Sequence, residues 1–335
     1  MSNKKFIVIT SINPPTEAVR EFAKWQGWTI VIVGDRKSPS EWHCGDVVYL
    51  SIDEQTKQFP EFAALLPENT YLRKMIGYLY AFRHGAEAIF ESDDDNIPYP
   101  DAANQIDAAL TGQRNIGTTL GVSSGWVNIY SEFGASDCWP RGFPLHHINS
   151  ASDGVRRGGA EDGLPWGVIQ YLADEDPDVD AIYRMTRSEP IFFARDRTFR
   201  LETESYCPFN SQATLWVPET FPLMFLPIGV TDRVTDILRG YMSLACLWKS
   251  GYTLAYASPV VYQERNVHDL FCDFEQEIDL YRFGDAWSRN LLNVNGRSPM
   301  ETFYSAIDLM VEAKVLPEMN RTAYELFSVE ASKKL

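Results

Sequence analysis

The sequence predicts an α/β fold, in which helices flank a central sheet, followed by a C-terminal helical extension. Short β-rich runs alternate with helical stretches through the first hundred residues, a pattern typical of a parallel sheet with covering helices. The apolar run at residues 88–90 ends abruptly in three consecutive acids, as a buried strand does where it reaches the surface. From residue 267 onward the pattern is helical, with Pro317 as an interruption.

The first half of the chain supplies strands and helices in turn. Its predicted elements are strands at residues 6–9, 29–33 and 46–50, a helix that opens at Glu17, a helix over residues 72–84, and the strand that precedes Asp93. Thr16 is the predicted N-cap of the first helix, and Gly85 ends the second.

The second half is less regular. From about residue 112 to 180 the many glycines, prolines and tryptophans predict long loops, which in a compact domain usually serve a site. The elements predicted beyond are strands at residues 209–217 and 252–262, a helix over residues 232–248, and helices from residue 267.

Polar residues follow the predicted strands where each one ends. Thr10 follows the first strand, Asp35 the second, and Asp93, Asp94 and Asp95 the strand at residues 88–90. Ligands of open α/β sheets bind at the carboxyl ends of the strands, so we expect these side chains to meet at one edge.

The acidic triplet predicts a divalent cation site. Adjacent carboxylates repel one another, and oxygen ligands of this kind suit Mg²⁺ or Mn²⁺, which bind through one or two carboxylates together with a substrate's phosphates. The alternative is a solvated acidic turn, which is what most charge runs are. The order of strands and helices around the triplet favours the cation site.

Composition limits the kind of partner. The 335-residue chain is 45% hydrophobic and carries a formal net charge of −16, which argues against nucleic acid or an anionic membrane as the main partner. Five scattered cysteines without CxxC spacing suggest neither a zinc site nor a disulfide framework. No apolar run approaches the roughly 20 residues that span a bilayer. A cytoplasmic location without a transmembrane segment is therefore expected.

No glycine-rich dinucleotide motif or P-loop is present, so neither of those nucleotide sites is predicted. Several ordered segments are distinctive instead: RKMIGYLYA at residues 73–81, WPRGFPL at 139–145, DVDAIYRMTR at 178–187, FNSQATL at 209–215, LPI at 226–228 and DILRGY at 236–241. In this order they resemble a known family, the STELLO-type glycosyltransferases, plant Golgi proteins linked to cellulose synthesis with relatives in microbes and invertebrates.

The resemblance implies a GT-A fold, a Rossmann-like mixed sheet flanked by helices, whose DxD motif holds Mn²⁺ or Mg²⁺ against a nucleotide diphosphate. It implies a catalytic domain over residues 1–266 and a helical extension over residues 267–335. The expected activity is transfer of a sugar from a nucleotide sugar, with UDP favoured, to a glycan or glycolipid acceptor. The plant members carry a transmembrane anchor, which is not expected in this chain.

The resemblance also suggests roles for individual residues. Metal ligands are expected at Asp95, Asp93 and His268; the last is a substitute for a family histidine, at whose position this chain has Tyr262. Donor contacts are expected from Thr10 and Asp35 at the base and ribose, from Arg73 and Lys74 at the diphosphate, and from Asp93 and Asp94.

The reaction itself is expected to use the start of the helix at residues 232–248. Asp236 is the candidate base of an inverting transfer, Asp232 competes with it, and Arg239 is expected to bind donor phosphate or hold Asp236. The two acids also have the plain interpretation of helix-start charges that complement the helix dipole. His146 and His147 are interpreted as a polar surface pair.

Two other functions stay open. One is a nucleotide-sugar mutase that interconverts the ring forms of a UDP-pentose. The other is a non-catalytic GT-A scaffold that regulates glycan synthesis, which the retention of clustered acids disfavours. The C-terminal helices pack on the catalytic domain or mediate self-association into a homo-oligomer, and composition does not choose between the two.

Overall fold

A computed structural model describes residues 4–150, 154–264 and 269–332 of the chain. Within those ranges eleven strands form one mixed sheet. The strands are β1 (Lys5–Thr10), β2 (Trp28–Val33), β3 (Val48–Leu50), β4 (Ala88–Glu91), β5 (Asn96–Pro98), β6 (Thr118–Gly121), β7 (Arg156–Gly158), β8 (Trp166–Glu175), β9 (Thr198–Leu201), β10 (Thr214–Trp216) and β11 (Thr253–Gln263).

Helices flank this sheet, so the predicted α/β class with a mixed sheet is confirmed. The helices are α1 (Glu17–Phe22), α2 (Ile52–Gln58), α3 (Pro60–Ala63), α4 (Lys74–Arg83), α5 (Ala102–Thr111), α6 (Ile129–Glu132), α7 (Ala181–Thr186), α8 (Asp232–Lys249), α9 (Leu270–Leu291), α10 (Pro299–Glu312) and α11 (Met319–Ala331). Short 3₁₀ turns lie at Tyr71–Arg73, Leu145–Ser150 and Pro218–Met224. None of the helices in the described ranges is both long enough and apolar enough to cross a bilayer.

The sheet is parallel on one side and mixed on the other. Its order is β3-β2-β1-β4-β10-β8-β11-β9-β6-β7, and β5 pairs separately with β11. The first four strands of this order are parallel, as the alternation of the first hundred residues predicts. Strand β10 is antiparallel to both β4 and β8, so it joins the parallel side to the rest of the sheet.

The prediction of loops from about residue 112 to 180 is wrong for one central element. Strand β8 is ten residues long and lies between β10 and β11. Both of its faces are covered, so its side chains do not alternate between apolar and polar, and the period-2 signal of a strand is missing. Conversely, only Thr214–Trp216 of the predicted strand at 209–217 is extended sheet.

Each face of the sheet carries its own apolar core, because successive side chains of a strand point to opposite faces. Ile7 and Ile9 of β1 pack with α1 and α5 on one face. Val8 packs on the other face with α4, α8, α10 and α11. The same alternation continues in β2, so both clusters run along the sheet and hold its strand ends in place.

Helix α4 lies unusually close to the sheet. A Cβ atom built at Gly77 would stand 2.4 Å from Val8 Cγ1 and 2.9 Å from Val33 Cγ2. Only glycine permits this approach, which brings the first turn of α4 down onto the carboxyl ends of β1 and β4.

The C-terminal helices share the second core. The predicted helical pattern after residue 267 is confirmed by α9, α10 and α11, and Pro317 lies between the last two, as expected. Phe225 contacts the rings of Phe303, Tyr324 and Phe327, so α10 and α11 pack against the segment that precedes α8. The division of the chain at residue 266 stays a prediction.

Candidate functional site

The carboxyl ends of the parallel strands open on a cleft made of two adjoining hollows. Thr10 ends β1, Asp35 stands two residues after β2, and the acidic triplet follows β4. The first hollow, of about 400 Å³, contains Thr10, Asp35 and Asp94, and we call it the β2 hollow. The second, of about 300 Å³, contains the whole triplet and is called the acidic hollow. Thr10, Tyr71 and Asp94 line both, so the two are continuous.

Asp35 and Arg73 form the back of the β2 hollow. Asp35 Oδ2 accepts the backbone N–H of Thr70 at 3.2 Å and lies 3.6 Å from Arg73 Nε. Arg73 is buried and donates to Gln55 Oε1 at 2.8 Å and to the Leu66 carbonyl at 3.2 Å. Burial lowers the pKa of this guanidinium, although the charge of Asp35 opposes the shift. The guanidinium therefore holds Asp35 and its loop at the wall of the hollow.

The acidic triplet lies in the turn between β4 and β5, where neutral groups orient two of its carboxylates. Asp94 Oδ2 accepts from Ser11 Oγ and, at 2.9 Å, from Asn13 Nδ2. Asp95 Oδ2 accepts from Gln263 Nε2 at 3.0 Å. These amide and hydroxyl donors fix the orientation of the two carboxylates.

Asp93 has a charged partner. Lys74, the first residue of α4, is fully buried and donates from Nζ to Asp93 Oδ1 at 2.9 Å and to the Ser211 carbonyl at 3.0 Å. Burial raises the pKa of Asp93 from 3.8 to about 6, the Lys74 charge opposes that rise, and Asp95 adds to it. The lysine thus serves as the counter-charge beneath the triplet.

The first turns of α8 bring Asp232 and Asp236 to the acidic hollow. Asp236 is nearly buried and is held by Arg141, whose Nη1 and Nη2 lie 3.1 and 3.2 Å from its two carboxylate oxygens. The same guanidinium donates twice to Asp178, both times at 2.8 Å. Arg141 therefore bridges two buried carboxylates and fixes the orientation of Asp236.

Asp232 lies one turn earlier in the helix and keeps an exposed side chain. Partial burial by the surrounding protein raises its pKa above 3.8, and the neighbouring charge of Asp236 raises it further. Of the two acids, Asp232 is the more accessible from the cleft.

Arg239 is placed differently from the prediction. It is fully buried, with Nη2 2.8 Å from Glu91 Oε1 and 2.9 Å from the Asn210 carbonyl. Among the described residues it is Arg141, not Arg239, that holds Asp236. Arg239 lies about one turn after Asp236 in α8. Its side chain is in the core, where it forms an ion pair with Glu91 of β4.

The donor set of the acidic hollow fits a hard divalent cation. Among the residues that the structure describes, five carboxylates line the hollow together with two guanidinium groups, from Arg141 and Arg233, so acids outnumber bases in this part of the lining. Arg233 is itself paired with Glu277. Oxygen ligands in excess of cationic partners suit Mg²⁺ or Mn²⁺. Among the described residues the triplet does not form a ready-made group of three converging ligands, so phosphate oxygens or waters would complete such a site.

Two expectations concern the end of β11. His268, the substitute third ligand, lies outside the described residues. Tyr262 packs against Tyr99, and it is the next residue, Gln263, that contacts Asp95. Neither Gln263 nor Arg141 is predicted from the sequence as a site residue. Each contacts a site residue that is distant in the sequence, Asp95 for Gln263 and Asp236 for Arg141.

A third hollow of about 450 Å³ adjoins the cleft at Gln263, which lines both it and the acidic hollow. Charged and polar side chains dominate this Gln263 hollow, among them Glu175, Arg184 and Arg187. It is roomy enough for a sugar-sized ligand, since small-molecule sites typically hold about 300 to 1,000 Å³.

Comparison with known proteins confirms the resemblance read from the motifs. No protein-family model matches the chain. Two proteins of Arabidopsis thaliana, Probable glycosyltransferase STELLO2 and Probable glycosyltransferase STELLO1, are 27% and 26% identical to it over 358 residues. Each alignment covers 96% of this chain and 45% of the relative, so the chain spans about half the length of the curated relatives it matches.

The solved structures similar to this chain include the mannosyltransferase PcManGT from Pyrobaculum calidifontis in complex with GDP-Man and Mn²⁺. It is 10% identical, with a TM-score of 0.41, and the match covers 98% of this chain and 86% of that one. A TM-score this low carries no inference about the function of this chain.

Proposed function

We propose that this chain is a metal-dependent glycosyltransferase of the GT-A type, which moves a sugar from a nucleotide diphosphate sugar to a glycan or glycolipid acceptor. The observation that carries the proposal is the position of the Asp93–Asp95 turn where the β2 hollow meets the acidic hollow. It is supported by similarity, over 96% of the chain, to two proteins named as probable glycosyltransferases.

The nucleoside of the donor is assigned to the β2 hollow. Thr10 and Asp35 offer a hydroxyl and a carboxylate at its strand ends, which suit the hydrogen-bond donors of a base or ribose. A UDP-sugar is the favoured donor. Arg73 and Lys74 act beneath the site, where Arg73 positions Asp35 and Lys74 positions Asp93.

A Mn²⁺ or Mg²⁺ ion is assigned to Asp95, with Asp93 as a second ligand or a partner of its water shell. When bound there, the ion acts as a Lewis acid that stabilises the negative charge on the departing diphosphate. Gln263 orients Asp95 and Lys74 holds Asp93, so the chain itself pre-positions both ligands.

We assign the role of the base, which takes the proton of the acceptor hydroxyl, to a carboxylate at the start of α8. In an inverting transfer the acceptor oxygen bonds to the anomeric carbon as the bond from that carbon to the diphosphate breaks, and the base takes the hydroxyl proton. Arg141 occupies both oxygens of Asp236, whereas Asp232 is accessible and has a raised pKa. We therefore place Asp232 as the base and Asp236 as its fixed neighbour, the reverse of the order expected from the sequence. The acceptor is assigned to the Gln263 hollow.

Calorimetric titration with UDP, with and without Mn²⁺, tests the proposal. The unsubstituted chain and the control Asp101→Asn, at an exposed aspartate beyond β5, are expected to bind UDP only with the metal. Asp95→Asn is expected to lose that metal-dependent binding. Undiminished Mn²⁺-dependent UDP binding in Asp95→Asn contradicts the ligand assignment, and a chain that binds neither UDP, GDP nor CDP favours the scaffold alternative.

The mutase alternative has its own test. A UDP-pentose incubated with the protein and Mn²⁺, but without acceptor, is isomerised by a mutase and left in its original ring form by a transferase. Nuclear magnetic resonance of the anomeric proton distinguishes the two ring forms.

A further inference from the structure

Three potential metal ligands converge away from the cleft. His146 and His147 lie on the 3₁₀ turn Leu145–Ser150, and Asp285 lies on α9. One ligand atom from each lies within 4.8 Å of the others, and among the described residues this is the one group of three or more His, Cys, Asp and Glu side chains that meets that criterion.

The carboxylate of this group is held in position from behind. The indole N–H of Trp126 donates to Asp285 Oδ1 at 2.9 Å. Trp126 is buried and packs against the rings of Phe143, Tyr206 and Tyr241, so its N–H is fixed. A partner that orients a ligand in this way is characteristic of built metal sites. It leaves Asp285 Oδ2 on the side of the histidines.

The spacing of the ligand atoms suits a tetrahedral ion. His146 Nε2 lies 3.6 Å from Asp285 Oδ2, and the two imidazole centroids are 4.2 Å apart. Two ligands bound at about 2.1 Å to one tetrahedral ion stand about 3.4 Å apart. The observed separation therefore needs only small side-chain rotations to reach coordination distance.

We infer that His146, His147 and Asp285 form a site for a divalent transition ion of the zinc class, with water at the fourth position. Two imidazoles and one carboxylate select Zn²⁺, Co²⁺ or Ni²⁺ over Mg²⁺, in contrast to the all-oxygen ligands of the acidic hollow. The inference is independent of the proposed function. The adjacent histidines are thus a ligand pair rather than the polar surface pair that the sequence suggests.

One side chain competes with the ion. Arg289 Nη2 lies 2.7 Å from Asp285 Oδ2, one turn along α9. The arginine side chain is 69% exposed, and exposed ion pairs of this kind contribute little, so it can be displaced into solvent. Removal of Arg289 should therefore strengthen metal binding.

Such an ion would join the Leu145–Ser150 turn to α9. That turn follows Gly142 and Phe143, which are anchored by the hydroxyl of Tyr241 and by Trp126. A bound ion therefore ties the C-terminal helices to the segment that also carries Arg141.

Titration of the untagged, metal-stripped full chain with Co²⁺, in the presence of saturating Mg²⁺, tests the site. We expect one Co²⁺ per chain at micromolar concentration, with the intense visible bands of a tetrahedral complex that Zn²⁺ abolishes. His146→Gln and Asp285→Asn should weaken binding at least tenfold, and Arg289→Ala should strengthen it. The control His43→Gln, at an exposed and solitary histidine, should bind as the unsubstituted chain does.

Three results would overturn the inference. They are equal Co²⁺ affinity in all the variants, the weak absorption of an octahedral complex, or binding only at millimolar concentration. Circular dichroism of each variant establishes that it is folded, and Asn at position 285 can still accept from Trp126, so loss of binding is not loss of structure.

Discussion

Lys74 lies directly beneath Asp93, with its ammonium nitrogen 2.9 Å from a carboxylate oxygen and no surface of its own exposed to water. The close approach of α4 to the sheet at Gly77 delivers this lysine to the strand ends. A lysine ammonium placed under three adjacent acids reduces their mutual repulsion. The relationship makes a direct prediction about stability.

Lys74→Met should destabilise the protein by about 3 kcal/mol at pH 8, because it leaves a largely buried carboxylate without its cation. This destabilisation is at the lower end of the range for broken buried ion pairs, because 32% of the Asp93 side chain is exposed. Loss of the lysine also raises the pKa of Asp93 further above its unfolded value, so the destabilisation should shrink as the pH is lowered. Urea denaturation of the variant and the unsubstituted chain, at pH 8 and at a lower pH, measures the effect.

The double variant Lys74→Met/Asp93→Asn is the matched control for that experiment. It removes the carboxylate that the lysine neutralises, so most of the lost stability should return at pH 8. A double variant as unstable as Lys74→Met alone would show that the lysine acts through packing instead of charge.

Arg141→Met should cost about 3 to 5 kcal/mol of unfolding free energy, because it removes the cation that bridges the buried carboxylates of Asp178 and Asp236. Arg36→Met, which breaks an exposed pair with Glu68, should cost less than about 1 kcal/mol. Guanidinium denaturation of both variants provides the comparison. Equal costs for the two would contradict the bridging role of Arg141.

Asp180 should make the unfolding free energy depend on pH. It is fully buried at the start of α7, and burial raises its pKa from 3.8 to about 6. The folded state then holds the proton more tightly than the unfolded state, so the contribution of Asp180 is favourable below pH 4 and is lost as the pH rises through about 6.

Asp180→Asn removes this titration, and its stability relative to the unsubstituted chain should increase by up to about 3 kcal/mol between pH 4 and pH 7. Other titrating groups are common to both proteins and cancel in the difference. A difference in unfolding free energy between the two proteins that stays constant across this pH range would contradict the prediction.

Gly77→Ala should destabilise the protein by about 1 to 2 kcal/mol, since the added methyl group would overlap Val8 and Val33 by more than the helix preference for alanine recovers. Gly159→Ala is the control, because a Cβ atom there meets only an oxygen of Asp162 at 3.7 Å. Its effect should stay within about 0.5 kcal/mol. Thermal denaturation distinguishes the two variants.

Asp232→Asn should lower kcat of the proposed transfer at least 100-fold while leaving the KM for the donor nearly unchanged, because a base for the acceptor hydroxyl does not hold the nucleotide. Product formation from a radiolabelled UDP-sugar measures both constants. If Asp236→Asn loses activity to that extent while Asp232→Asn keeps it, the roles of the two acids are reversed.

Much of the fold is predictable from local pattern. The strand that ends at Thr10, the helix capped by Thr16 and the helix that begins at Asp232 are all where the sequence predicts them. These elements are set by short-range alternation and by caps, which a single sequence displays. The arrival of Thr10, Asp35 and the triplet at one edge then follows from parallel pairing alone.

What escapes prediction depends on distant contacts. Strand β8 lacks alternation because both of its faces are covered, and the loop-rich sequence on either side conceals it. Arg141 pairs with Asp178 and Asp236, which lie 37 and 95 residues further along the chain, and no local sequence pattern predicts either ion pair. Lys74 is visible as a helix start, but only the approach of α4 to the sheet shows that it faces inward.

The place of β10 in the sheet has a consequence for synthesis. Strand β4 pairs with β1 on one side, but its other neighbour, β10, is translated more than a hundred residues later. At typical elongation rates the ribosome needs about 10 s to reach it. Meanwhile the nascent chain presents an unpaired, apolar strand edge that invites aggregation. A chaperone that shields this edge of β4 should therefore reduce aggregation of the nascent chain during that interval.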